Sequence, residues 1–182
     1  MLAKFDEIDD IRGRIERLVT PKYKPTEADL EDTIFDYLLY CMTFGMGYAN
    51  EQLKSNKKIS VDKVEEIIDK KVAGENWRDR LHRYYSEDDF RTFPNLLDTE
   101  GRRVFNETAF ETAKINGATF KTWQTMEDIR VRDTHDFLQG VTIPIMDRFY
   151  TFDGDNALTP FGFSKAENNC NCRCYLEFKK EG

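Results

Sequence analysis

The stretch "ETAKINGATFKTWQT", residues 111–125, is where the chain changes its periodicity. Up to Ile115 the residues continue a helix, and Gly117 is the residue type that most readily takes the left-handed conformation closing one. From Ala118 onward Thr and aromatic residues dominate, as they do in strands. A helix therefore stops and a strand starts within a few positions. The expected fold class is α+β: a helical N-terminal part, residues 1–118, followed by a compact C-terminal part, residues 119–182, with a small antiparallel sheet.

Upstream of this seam every segment reads as helix. Phe5, Ile8, Ile11, Ile15 and Leu18 recur at spacings of three and four and form one apolar stripe, which Pro21 and Pro25 end. Thr26 with Asp29 resembles a capping box, and Leu30, Ile34, Leu38, Cys41, Gly45 and Tyr48 carry a second stripe to about Leu53. A short helix is expected after Ser60, another from Asn76, and the run 98–117 is the clearest late helix. Ser86 with Asp89 is a further capping signal, and Pro94 is expected to break or kink the chain beyond it. Thr99, Glu100, Arg103, Asn106 and Glu107 form a polar stripe on the late helix, which is expected to pack against the C-terminal part and to give Glu100 to its arginines.

Downstream, "VRDTHDFLQ" (131–139) reads as a short helix, "VTIPI" and "RFYTF" as short extended pieces, "DGDNALTPFGF" (153–163) as loop, and "CRCYLEF" (172–178) as a strand. The "DGDN" run resembles a calcium loop but lacks a third ligand and the glycine spacing, so a solvated turn is the better reading.

The 182 residues suffice for a self-supporting core, and 14 Phe and 8 Tyr supply material for it. A net charge of -7 argues against broad capture of nucleic acid phosphates, with "KSNKK" (54–58) and "RDRLHR" (78–83) as the best candidates for a local basic patch. The start "MLAKFDEIDD" lacks the apolar segment of a secretory signal, and no apolar run approaches membrane-spanning length. A cytoplasmic protein with no membrane association is expected. Its four cysteines, three at alternate positions 170, 172 and 174, do not form a secreted disulfide framework.

Three chemistries compete at these thiols. His135 with the cysteines would suit zinc, but on an extended strand alternate side chains stand about 6.6 to 7 Å apart, so at most two could converge on one ion. No metal is expected on that ground; if zinc were present its ligands would be His135, Cys172 and Cys174. A thiol nucleophile would need a base, and His135 is the only histidine of the C-terminal part, without an accompanying oxyanion pattern. The segment "EDIRVRDTHD" (127–136) gathers Asp128, Arg130, Arg132, Asp133, His135 and Asp136. Arg132, His135 and Asp136 on one helical face could bind phosphate or exchange protons, yet a network locking loops to strands is the better reading of them.

Taken in order, "TE" (99–100), "KTWQT" (121–125), "DIRVRDTHDFLQGVTIP" (128–144), "FYTFDGD" (149–155) and "NCRCYLEF" (171–178) resemble the phage minor head proteins of the Mu F-like, or head morphogenesis, family over about residues 99–178. The matching positions are Glu100, Trp123, Asp128, Arg130, Arg132, His135, Pro144, Asn171, Cys172, Arg173 and Cys174. The resemblance implies a non-enzymatic role in virion assembly, with no cofactor. Its implied partners are the portal protein and other head or scaffold proteins, met in the host cytoplasm and kept at the portal vertex or head interior. Residues 1–118 would be the docking region. Two other classes stay open: a metal- or His-dependent hydrolase or nuclease-like domain, and a factor binding the packaged DNA. His135 is expected to meet Cys172 and Cys174 across the C-terminal part.

Overall fold

Local capping chemistry sets the helical part. In this computed structural model, which describes residues 2–19, 23, 25–89 and 93–181 with side chains from residue 6 onward, α1 spans Leu2–Leu18, α2 Glu27–Gln52, α3 Val61–Ile68, α4 Trp77–Ser86 and α5 Phe93–Ile115. The expected box at Thr26 forms in full: its hydroxyl accepts from the Asp29 amide at 3.1 Å, and the Asp29 carboxylate accepts from the Thr26 amide at 3.3 Å. Asn76 and Asp79 repeat the arrangement at the head of α4. Ser60 caps α3 by accepting from the Lys63 amide.

The helical stripes bury much as their spacing predicts. Leu30, Ile34, Leu38, Cys41, Gly45 and Tyr48 are all buried on α2, and Ile8 and Ile15 on α1. Leu18 is a correction, since it remains 47% exposed at the end of its helix. Phe5 and Pro21 lie outside the described side chains and residues. Ser86 does not cap a new helix; it closes α4, its hydroxyl donating to the Arg83 carbonyl at 3.0 Å. Pro94 does not break α5 either. It sits in the first turn, where the amide it lacks would have had no intrahelical partner.

The central element is α5, which packs on α1, α2, α3, α4 and the sheet. Its polar stripe faces inward: Thr99, Glu100, Arg103, Asn106 and Glu107 are all buried. Arg103 donates to the Glu100 carboxylate at 2.8 Å and to Glu107 at 3.1 Å. It also donates to the Ile67 and Ile68 carbonyls at 2.7 and 3.2 Å, and so satisfies the open C-terminal end of α3. Burial of a guanidinium is tolerable only with partners of this kind.

Gly117 closes α5 with a φ of 80°, and β1, Phe120–Gln124, starts three residues later. It is the middle strand of an antiparallel sheet ordered β2-β1-β5, with β2 at Thr142–Pro144 and β5 at Tyr175–Lys179. The register places Trp123 opposite Leu176 and Lys121 opposite Phe178 on the covered face. A second ribbon pairs β3, Phe149–Tyr150, with β4, Asn156–Ala157, so the stretch 153–163 is not wholly loop. The histidine-bearing helix α6 is shorter than its pattern suggests, Asp133–Asp136, and a further turn, α7, occupies Ala166–Asn169. The cysteines precede the last strand, which begins at Tyr175 rather than at Cys172. One contiguous apolar core runs from Ile34, Leu38 and Phe105 to Trp123, Leu176 and Phe178. Among the described residues no helix is long and apolar enough to cross a membrane.

Candidate functional site

His135 enters its site because α6 is a single turn between two loops. Arg132, in extended conformation, precedes it, and the Leu138 amide closes on the His135 carbonyl at 3.0 Å. The imidazole is only 1% exposed. It stacks on Phe163 with centroids 5.3 Å apart and meets the Trp123 ring edge-on at 5.6 Å. The cysteines come from the other side. Asn171, at a φ of 54° that asparagine tolerates better than most residues, turns the chain out of α7. From there side chains alternate: Cys172 and Cys174 point inward, and Arg173 points outward.

The expected meeting of His135 with both cysteines is found. Its Nδ1 lies 3.7 Å from the Cys172 Sγ and 3.6 Å from the Cys174 Sγ, and the three groups offer ligand atoms all within 4.8 Å of one another. Two of the three thiols converge, the number that the spacing argument allows, and they do so in the segment ahead of β5. Cys170, exposed, stays outside the cluster. Burial resists ionisation of Cys172, but hydrogen bonds from Cys174 and His135 outweigh it and hold that thiol well below its ordinary range. Cys174 is driven up by the hydrogen bond to its neighbour and by burial. Among the described residues His135 Nε2 is buried without a hydrogen-bond partner.

The outer layer is ionic. Arg173 grips both oxygens of Asp128, one of them at 2.8 Å, and Arg130 approaches the same carboxylate at 3.2 Å. These bonds, Arg173 foremost, hold the Asp128 carboxyl well below the usual range. Arg132 donates to the Cys170 carbonyl. Arg130, Arg132, Asn171 and Arg173 line a cleft of about 700 Å³ together with Asp9 and Arg12 of α1 and Asp98 and Arg102 of α5.

Three of the anticipated residues stand apart from the thiols. Glu100 pairs with Arg103 and Arg80 inside the helical part, not with the C-terminal arginines, because α5 turns that face toward α3 and α4. Asp136 is exposed while His135 is buried, so the two do not share a working face. Pro144 ends β2 opposite Phe120, away from the thiols.

Two polar residues of consequence, Asp155 and Lys121, stand outside the anticipated site residues. Asp155 of the "DGDN" run is buried, not solvated. It accepts from the Lys165 amide at 2.9 Å and the Ser164 hydroxyl at 2.8 Å, and these bonds overcome burial to hold it at about 2. With its oxygens occupied by protein donors, it serves as a loop clamp. Lys121 is fully buried, its Nζ donating to the Leu158 carbonyl at 2.8 Å. Strand parity could have found it, since Lys121 and Trp123 must face the same way.

A family model described as phage Mu protein F like protein matches residues 62–177, while no curated protein and no solved structure matches. The match begins in α3, upstream of the motifs that start near residue 99, and takes in α4, α5, nearly all of the sheet, His135 and both inward cysteines. On this match the chain belongs to the phage Mu protein F like family.

Proposed function

We propose that the protein is a minor head protein of a bacteriophage, acting without catalysis in head morphogenesis at the portal vertex. The observation that carries this reading is the family match over residues 62–177. The acidic balance of the chain favours protein partners over DNA, because counterion release at phosphates needs an excess of Lys and Arg. Residues 1–118 are the docking region in this reading. They leave aromatic surface at Tyr40, which packs against Phe44 at 4.7 Å on the outer side of α2 and remains 39% exposed. The partners are the portal protein and other head or scaffold proteins, met in the host cytoplasm before the protein is retained in the head.

Crosslinking mass spectrometry on particles assembling in an induced lysate tests this. Crosslinks from residues 1–118 to portal or head proteins are expected. Recovery of the protein free in the lysate, with no such crosslinks, would overturn the assignment.

A further inference from the structure

We propose that His135, Cys172 and Cys174 form a zinc site, with Nδ1 and the two Sγ atoms as ligands and a fourth position open toward the arginine-lined cleft. Tetrahedral zinc with Zn–S of about 2.3 Å and Zn–N of about 2.1 Å requires its ligand atoms to stand about 3.6 Å apart. The imidazole nitrogen lies 3.7 and 3.6 Å from the two sulfurs, so both nitrogen–sulfur edges already stand at the required length, and the sulfurs lie within 4.8 Å of each other. Two thiolates and a neutral imidazole cancel the charge of a divalent ion. The ligated site is then neutral, which suits a position where all three side chains are at least 97% covered. Thiolate and imidazole together select zinc over the hard cations magnesium and calcium.

The fourth corner has a defined place. His135, Cys172 and Cys174 border a gap of about 10 Å³ together with Arg130, Arg132, Asn171 and Arg173. That is space for about one water molecule. The nearby guanidinium groups are held by other partners: Arg173 by Asp128, and Arg132 by the Cys170 carbonyl. A hydrogen-bonding role alone explains the cluster less well. Among the described residues His135 bridges no second protein group, since its Nε2 has no partner there, and its polar contacts are the thiols themselves. Binding releases the thiol protons to solvent and ties α6 to the segment entering β5, two parts of the chain that no ladder joins. The ion is thus a clasp across the C-terminal part.

The test uses the full chain, purified without an affinity tag or chelator, equilibrated with zinc and desalted. Elemental analysis is expected to give roughly one zinc per chain, and cobalt substitution to give thiolate-to-cobalt charge-transfer absorption with the intense visible bands of a tetrahedral ion. Cys172→Ser, Cys174→Ser and His135→Ala are each expected to lose the metal, whereas Cys170→Ser retains it. Folded wild-type protein that takes up no zinc and shows no thiolate-to-cobalt band would overturn the site, a result independent of whether any variant folds. Loss of the metal from Cys170→Ser would overturn the ligand set. Neither outcome bears on the head-assembly reading, which crosslinking decides separately.

Discussion

Lys121 shows how one residue can couple stability to pH. Its ammonium sits under Phe110 and Phe149, with centroids 4.9 and 5.3 Å away, and the Leu158 carbonyl is its hydrogen-bond acceptor. Burial lowers its pKa from 10.5 to about 7. Between those values the unfolded chain binds the proton and the folded chain does not, so stability contributed at this position rises with pH across that window. Below about 7 the cost of burying the charge is fully present. Replacing Lys121 with Met should therefore help the protein most in mild acid, and the advantage should shrink or reverse toward about pH 10. Urea denaturation of both proteins at about pH 6, 8 and 10 measures this, and a pH-independent difference would contradict it. The residue's presence in a strand was legible from "KTWQT"; strand parity could have shown its burial, but its partner, a carbonyl beyond β4, could only come from the fold.

At the scale of elements, the seat of α2 on α5 depends on a glycine. A Cβ added at Gly45 would stand 2.3 Å from the Phe105 carbonyl oxygen and 3.2 Å from the Ala109 nitrogen, both backbone atoms of the central helix. Backbone cannot step aside as a side chain can, so the helices must separate. Gly45→Ala should destabilise the protein by about 1 to 3 kcal/mol. Gly47, on the same helix, has nothing within 4 Å of an added Cβ. Gly47→Ala should be neutral or stabilising by up to about 1 kcal/mol, because it removes backbone freedom from the unfolded chain. Equal effects of the two substitutions in chemical denaturation would refute close packing as the cause. The stripe that buries Gly45 could be read from spacing alone, whereas the bare contact it makes required α5 to be in place.

For the whole molecule, the continuous core makes the two parts one cooperative unit. Trp77 reports on the helical part and Trp123 on the sheet, and both are fully buried in a single apolar cluster. In a Trp77→Phe variant, fluorescence from Trp123 and far-UV circular dichroism should give the same thermal midpoint. Distinct midpoints would mean that the parts unfold separately. By itself the sequence determined what neighbours in the chain decide: the Thr26 and Asn76 caps, the buried face of α2, and the switch from helix to strand at Gly117. These depend on residues within about four positions of one another. Tertiary structure alone decided that the polar stripe of α5 lies inside, that Glu100 belongs with Arg80 and Arg103, and that a turn at Asn171 brings two thiols onto His135. A buried polar group is stable only where distant segments supply its partners, and periodicity carries no record of which segments those will be.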